Sequence, residues 1–397
     1  MKKITIFTLH LGVGGIQKAI STLCKSLEDN YKIKIVSVYK LYDKPGFYFS
    51  DKIKIEYLID SDIAIKVDNY KLLFFKFKWI KLIKVLFKDY LKHFKIITLF
   101  KDSIYSLKVL RLKKSLMKTA IENNESEVMI TTEIYLNELL GKYGHDKALK
   151  IAWEHNHHND NKKYINNLKK SVKNINKLIL VSKELTEFYS TELKANACEC
   201  IYIPNSLEYF PKNKSNLKTN NIITVGRLSE EKGHLDLIEV ISELRKIYDD
   251  FHLDIAGDGP MKEKLVEYIK KYDLSDKITL HGFLTRNEMK PIMENSSVFV
   301  LPSLSESFGI VIIEAFSYGI PAVAFTSARG ATEIIENNWN GYLIEDRDKQ
   351  NMAKRIKFLL QNQSRRIIMG SNANKKALLY KSDIINRKWV DLFEKEN

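Results

Sequence analysis

The segment LPSLSESFGIVIIEAFSYGIPAVAF, from Leu301 to Phe325, is the part of the chain that decides the fold. An apolar run ends at Leu301, a loop of Pro, Ser and Glu follows, and Ile, Ala and Phe then recur at helical spacing. This order predicts a strand, a loop and a helix. Such a loop presents free backbone N–H groups and the positive end of a helix to one point, which suits an anionic ligand that carries hydroxyl groups.

Two carboxylates belong to this segment. Glu306 lies in the predicted loop, and Glu314 follows on the predicted helix, where we expect it about two turns further on. Two carboxylates in this arrangement can contact different hydroxyls of one ligand. Taken alone, the pair is also compatible with the general acid and base of a glycoside hydrolase.

The rest of the chain repeats the alternation of short β-branched runs and helical patterns. One set extends from Lys3 to Val181 and a second from Ile222 to Phe325, with a polar stretch before residue 221 that reads as a linker. The rhythm predicts the α/β class, with two Rossmann-like domains at 1–204 and 205–383 that face each other across a cleft. A final helix, at about 384–397, is expected to pack back on the first domain.

The length of the chain and its few cysteines indicate how many domains it has and where in the cell it is expected. A chain of 397 residues is comfortable for two domains, and its three cysteines are sparse. No cleavable N-terminal signal is recognised, which favours a reducing, cytoplasmic location. No apolar run approaches the roughly 20 residues of a membrane-spanning helix, so an integral membrane protein is not expected.

The net charge of +15 is concentrated in an insertion at about 60–118. Lysines and one arginine between 71 and 118 alternate with Phe, Trp, Ile and Leu, and only two aspartates oppose them. The pattern is typical of a basic amphipathic element on an anionic membrane surface. The alternative is a lysine-coated helix pair packed on the domain, and nucleic acid is disfavoured because no matching motif accompanies the charge.

Glycines after the first strand raise the question of a dinucleotide site. Gly12, Gly14 and Gly15 begin the pattern, but Gln17 stands where its last glycine is needed and Lys40 ends the second strand in place of an acid. A nicotinamide dehydrogenase is therefore disfavoured. A glycine turn that approaches a phosphate or a sugar, or a plain turn, remains.

The run of residues from Trp153 to His158 collects imidazoles at the end of a strand. Its spacing does not match a zinc site, and no metal is expected. We expect His155 to be a polar contact to the ligand, with a partly solvated loop as the alternative.

Arg227 and Lys232 follow another strand end, where a planar fork and a point charge suit a diphosphate. Surface ion pairs with the neighbouring glutamates are the alternative. The turn at 256–260 is expected to be structural only, and the acidic 346–348 segment is expected to be solvated.

Taken together, these elements resemble the retaining GT-B glycosyltransferases of family 4. The resemblance covers nearly the whole chain, and the Glu306-to-Glu314 spacing combined with VGRLSEEKG is its specific part. The motifs that carry it, in chain order, are Gly14-Gly15, Glu154-His155-Asn156, Val181-Ser182, Ile203-Pro204-Asn205, VGRLSEEKG (225–233), AGDGP (256–260), HGF (281–283), ESFGIVIIEA (306–315) and Asn340-Gly341-Tyr342-Leu343.

The resemblance implies a role for each candidate residue. Arg227 and Lys232 would hold a donor diphosphate, Glu314 would bind the ribose, and Glu306 would contact the donor sugar. His155 would lie close to the anomeric centre. The remaining donor-binding positions are Gly14, Gly15, Phe308, Gly309 and Ile310. Neither a metal nor another cofactor is implied, and the contacts of the 328–333 segment, which departs from the family pattern, stay open.

The resulting expectation is a bacterial hexosyltransferase on the inner face of the cell membrane. It would move a hexose or N-acetylhexosamine from a UDP-sugar to a lipid-linked or cell-surface glycan acceptor in polysaccharide biosynthesis. Two alternatives stay open. One is another GT-B enzyme, such as a sugar-nucleotide epimerase or a phosphorylase, and the other is a non-catalytic partner that binds glycan or membrane.

Overall fold

A computed structural model describes residues 1–59 and 111–395. Their first half forms a seven-stranded parallel sheet in the order β3-β2-β1-β4-β5-β6-β7. The strands are mostly buried runs of Ile, Val and Leu, as expected for a parallel sheet covered on both faces. They are β1 (Lys3–His10), β2 (Lys32–Tyr39), β3 (Lys54–Ile59), β4 (Val128–Thr131), β5 (Leu149–Glu154), β6 (Lys177–Leu180) and β7 (Glu199–Tyr202).

Helices cover this first sheet. They are α1 (Gly15–Leu27), α2 (Ile134–Tyr143), α3 (Lys162–Ser171) and α4 (Lys183–Glu192). Residues 111–122 are helical as well. Each helix begins close to the carboxyl end of the preceding strand, so the loops that carry polar residues gather at one edge of the sheet.

The second half repeats the plan with six parallel strands in the order β10-β9-β8-β11-β12-β13. The strands are β8 (Asn221–Val225), β9 (His252–Ala256), β10 (Ile278–Gly282), β11 (Val298–Leu301), β12 (Ala322–Phe325) and β13 (Gly341–Ile344). The helices are α5 (His234–Ile247), α6 (Lys262–Lys271), α7 (Arg286–Glu294), α8 (Ile310–Ser317), α9 (Arg329–Ile334), α10 (Lys349–Gln361) and α11 (Gln363–Leu378). The strand order reverses between β8 and β11, the position at which open α/β sheets bind ligands.

The last helix, α12 (Ser382–Glu394), returns to the first domain. Phe393 packs edge-on against Tyr31, with ring centroids 5.7 Å apart, and Trp389 packs against Trp153 of β5 at 4.8 Å. This contact places α12 beside the strand that leads to His155.

Two segments of the chain connect the two domains, and backbone hydrogen bonds join these segments to each other. The Leu207 N–H donates to the Tyr380 carbonyl (2.8 Å), and the Ser382 N–H donates to the Leu207 carbonyl (2.9 Å). The linker and the segment before α12 therefore form a short two-stranded connection.

The predicted fold is confirmed: two Rossmann-like domains and a C-terminal helix that packs on the first. The predicted domain boundaries themselves stay predictions. Most of the basic insertion lies outside the described residues. Within its described end, Lys113 is 5% exposed, and its ammonium lies over the rings of Tyr39 and Tyr135 at 5.0 and 5.1 Å. This lysine is therefore not part of a membrane-facing surface.

Candidate functional site

The 302–309 loop, which joins β11 to α8, is held by the connection that precedes α5. The Leu304 N–H donates to the Glu231 carbonyl (2.9 Å). Gly233, at φ +66°, lies so close that an added Cβ would be 2.1 Å from the Pro302 carbonyl oxygen. Only glycine satisfies both the left-handed backbone and this contact. The β8–α5 connection therefore fixes the start of the loop.

Arg347 holds the same loop from the end of β13. Its guanidinium donates to the carbonyls of Pro302 and Ser303, each at 3.2 Å, and to the Asp236 carboxylate at 2.5 Å. Its side chain is 24% exposed. The expectation of a solvated 346–348 segment is confirmed for the exposed Asp346 and Asp348 and is wrong for Arg347, which is bound to the loop.

The end of the loop forms the N-terminus of α8. Gly309 adopts φ +92° and the helix begins at Ile310. Phe308 is 2% exposed and packs against Tyr380, so its backbone is what it can offer a ligand. Amides in the first turn of a helix have no intrahelical acceptor and, with the helix dipole, favour an anion. The three residues predicted to assist a diphosphate thus lie together at this terminus.

Lys232 and Glu306 are brought together beside that terminus. The Lys232 Nζ is 2.5 Å from Glu306 Oε2, and the two side chains are 26% and 17% exposed. The cation predicted to hold the diphosphate and the carboxylate predicted to contact the sugar therefore neutralise each other.

Glu314 is also paired, and its partner comes from the first domain. Lys18 of α1 forms an ion pair with its carboxylate, and the side chains are 28% and 22% exposed. Because α8 begins at Ile310, Glu314 lies about one turn inside the helix, whereas two turns were expected. Lys18 was missed in the sequence, although it lies one turn after Gly14 on the helix that follows the glycine turn.

Arg227 is the exposed member of the predicted cationic pair. Within the described part of the chain, no hydrogen bond or ion pair engages its guanidinium. Its loop rests on the 256–260 turn: an added Cβ on Gly257 would be 1.8 Å from the Gly226 carbonyl oxygen, and the Leu228 N–H donates to the Asp258 carbonyl (3.0 Å). That turn therefore supports the loop that presents Arg227.

His155 follows β5 at the edge of the first sheet. Its Nε2 is buried and has no hydrogen-bond partner among the described residues, and its ring lies 4.4 Å from that of Trp153. Burial lowers the pKa of His155 to about 3, so the imidazole is neutral at physiological pH. Glu154, before it, is buried and accepts a hydrogen bond from the Asn156 N–H (2.7 Å). Burial raises the pKa of this carboxyl to about 7.

The two following histidines build the loop. His157 and His158 are buried, and their Nδ1 atoms accept from the N–H groups of Asn159 (2.9 Å) and Asp160 (3.0 Å). The alternative of a partly solvated loop therefore does not apply to these two side chains. Across the described ranges, no group of three or more His, Cys, Asp and Glu side chains is arranged to hold a metal ion.

The glycine turn of the first domain leads into α1. A Cβ on Gly14 would be 2.4 Å from Gln17 Oε1, whereas a Cβ on Gly15 would meet nothing within 4 Å. Space is therefore open beside Gly15, where the sequence predicts the approach of a phosphate. The predicted residues thus lie after β1 and β5 of one sheet and after β8 and β11 of the other.

Two Rossmann-like domains with polar residues at the carboxyl ends of their strands correspond to the GT-B fold. Residues 205–376 match the model of the family described as glycosyl transferases group 1. The assignment of the chain to numbered family 4 stays a prediction.

Two similar proteins are named as glycosyltransferases, and one solved structure shares the fold. An uncharacterized glycosyltransferase of Haemophilus influenzae is 27% identical over 91% of each chain. A putative colanic acid biosynthesis glycosyltransferase of Escherichia coli, WcaL, is 33% identical over 34% of each chain. A crystal structure of a variant of S. aureus TarM, in complex with fondaparinux, α-GlcNAc-glycerol and UDP, has a TM-score of 0.77 at 20% identity. It covers 99% of this chain and 100% of that one, and this likeness shows the fold.

The described helices do not meet the requirements for a membrane-spanning helix. In the ranges that the structure describes, none of the helices combines the length and the apolar character that crossing a bilayer requires.

Proposed function

We propose that the protein transfers a hexose or N-acetylhexosamine from a UDP-sugar, with retention, to a lipid-linked or cell-surface glycan. One observation carries the proposal. Lys232 and Glu306 meet at the N-terminus of α8, with the exposed Arg227 on the connection that also carries Lys232. A diphosphate fits cations and helix amides, and the hydroxyls of a sugar fit the carboxylate.

The chemistry follows from this arrangement. Arg227, Lys232 and the amides of α8 neutralise the charge that develops on the departing phosphate. The bond from the anomeric carbon to phosphate oxygen breaks, and the acceptor oxygen bonds to that carbon on the same face. The acceptor proton passes to the leaving phosphate. His155, being neutral, contributes hydrogen bonding close to the anomeric carbon and no charge.

UDP is proposed because the TarM structure contains it, and the acceptor class because WcaL is assigned to colanic acid biosynthesis. We also propose that the reaction needs no metal. A chelator should leave the rate unchanged, and a loss that Mg²⁺ restores would contradict this part.

The test uses the purified full chain with UDP-, GDP- and ADP-sugars and glycan acceptors. Nucleotide release and sugar transfer are measured, and the anomeric configuration of the product is read by NMR. Lys232→Ala and Glu306→Ala should each lower kcat/KM by about 100-fold or more. Lys376→Ala is a suitable control, because this lysine pairs with Glu336 at 2.8 Å within the second domain. Inactivity with every donor, or undiminished activity of both variants, would contradict the proposal.

A peripheral position on the inner face of the cell membrane is the second part of the proposal. It rests on the basic pattern at 71–118, of which 71–110 lies outside the described residues. The full chain should co-sediment with vesicles that contain anionic lipid and not with neutral vesicles. Equal behaviour with both would remove the membrane from the proposal.

A further inference from the structure

Helix α9 contacts the first domain through residues near its two ends. The Arg329 guanidinium donates to the carboxylates of Asp160 (2.6 Å) and Glu184 (3.2 Å). The Glu333 carboxylate accepts from the Lys183 N–H (2.8 Å) and from a tyrosine hydroxyl of β7. Residues four apart lie on one face of a helix, so this face of α9 is turned toward the first domain.

The same short helix also supports the 302–309 loop. The Gly330 N–H donates to the Glu306 carbonyl (2.8 Å). A Cβ on Gly330 would be 2.3 Å from the Phe308 nitrogen and 2.4 Å from the Ser307 carbonyl carbon. The backbones are therefore in direct contact, and a shift of α9 must displace the segment that carries Glu306 and the amides before α8.

Part of the surface that α9 touches belongs to the loop of His155, and the rest belongs to α4 and β7. Asp160 ends the stretch that begins with His155, and Glu184 Oε1 is also 3.6 Å from His157 Nε2. The 302–309 loop adds a contact of its own, since the Ser305 hydroxyl donates to the Asn159 side-chain oxygen (2.9 Å). One helix thus lies between the loops that carry the candidate residues of the two domains.

We propose that Arg329 and Glu333 are positioning residues, which align the 302–309 loop with the His155 loop when the two domains are together. The proposal rests on the proposed transfer reaction. Neither side chain is assigned a contact with substrate. The ion pairs are exposed and individually weak, so their effect is on geometry and not on the stability of either domain. Misplacement of reacting groups by about 1 Å can lower a rate on the order of 100-fold.

The first experiment separates positioning from binding. Arg329→Ala and Glu333→Ala should lower kcat 10- to 100-fold while the Kd of UDP changes less than about threefold. Arg329→Lys should recover part of the loss. Arg245→Ala is the matched control, because Arg245 is similarly exposed and pairs with Asp276 at 3.2 Å inside one domain. The control should keep full activity.

A double variant tests the cross-domain pair. The double variant Asp160→Asn, Arg329→Ala should lose no more activity than Arg329→Ala alone, because Asp160 acts through its bond to Arg329. The proposal would be overturned if the losses of Asp160→Asn and Arg329→Ala add in the double variant. It would also be overturned if kcat is unchanged in both Arg329→Ala and Glu333→Ala, or if the UDP affinity falls in step with kcat.

A measurement without catalysis keeps the two proposals distinguishable. Small-angle X-ray scattering of the full chain should show compaction when UDP is added, and Arg329→Ala should abolish it. If the wild type is inactive with every donor but this difference is found, the positioning role stands while the transfer proposal fails. If both proteins compact equally, the positioning role fails.

Discussion

Lys18 and Glu314 form an ion pair between the N-terminal part of α1 and the N-terminal part of α8, so the two domains meet at the carboxylate that the sequence assigns to a ribose. A ligand that binds Glu314 through its hydroxyls would compete with Lys18 for this carboxylate. The pair is therefore both a contact between the domains and a competitor of the ligand.

Removing the competitor should favour the nucleotide. Lys18→Met leaves Glu314 without its cation, and UDP should bind up to about fivefold more tightly, because a partly exposed ion pair contributes on the order of 1 kcal/mol or less. Calorimetric titration of UDP into the full chain measures the change. Weaker binding would show that Lys18 itself contacts the ligand.

A neighbouring lysine on the same helix provides the control for that experiment. Lys25, two turns further along α1, pairs with Glu208 of the linker at 2.5 Å. Lys25→Met removes one charge and one contact between α1 and the rest of the chain, so it should leave UDP affinity unchanged.

Gly15→Ala should separate folding from binding. The added methyl group meets no protein atom within 4 Å, and alanine at the start of α1 favours the helix by up to about 1 kcal/mol. Thermal unfolding should show an equal or higher Tm, while kcat/KM falls at least about tenfold, since the methyl group enters the space expected for the ligand. Full activity would mean that nothing approaches Gly15 closely.

The buried Glu154 should give the stability a pH dependence of known sign. Burial raises the pKa of this carboxyl from 4.5 to about 7 in the folded chain. The contribution of Glu154 to the free energy of unfolding is fully present below pH 4.5 and is lost as the pH rises through 7, because the carboxyl ionises more easily in the unfolded chain. His155 acts in the opposite direction: its pKa falls to about 3, so its contribution is lost as the pH falls below 6.5.

Comparison with Glu154→Gln isolates the carboxyl. The free energy of unfolding of the wild type, relative to the variant, should decrease by roughly 2–3 kcal/mol between pH 4.5 and 8. Urea unfolding at these two pH values measures it. Glutamine keeps an acceptor for the Asn156 N–H, so a constant difference would mean that folding does not shift the pKa of Glu154.

Trp389→Ala tests the return of α12 to the first domain. The indole is 2% exposed and packs against Trp153, so its removal should cost about 3–5 kcal/mol of unfolding free energy. Activity should fall as well, because Trp153 also supports the ring of His155 at 4.4 Å. Trp339→Ala is the control, since that side chain is 37% exposed. A loss confined to stability would separate α12 from the site.

The strands and the local loops could be predicted because their causes are local. Val298 to Leu301 is buried and apolar, and Gly309 ends the loop with a backbone that glycine adopts readily, so the strand, loop and helix follow from neighbouring residues. Lys232 and Glu306 are far apart in sequence, but each follows a strand of one parallel sheet, so their meeting was predictable as well.

The contacts between domains could not be predicted in this way. Lys18 meets Glu314, and Arg329 meets Asp160, only because of how the two sheets are placed relative to each other. No local pattern encodes that placement. Arg347 was missed for another reason: the predicted strands of the second domain ended at Phe325 and did not include β13, so the segment after it was read as solvated.

The bonded pair of connecting segments has a mechanical consequence. Backbone hydrogen bonds at Leu207 tie the linker to the segment before α12, whereas the contacts of α9 with the first domain include exposed ion pairs such as that of Arg329. Added salt screens the ion pairs and leaves the backbone bonds intact. At high ionic strength the connection at Leu207 should therefore keep its geometry, whereas the ion pairs of Arg329 should weaken.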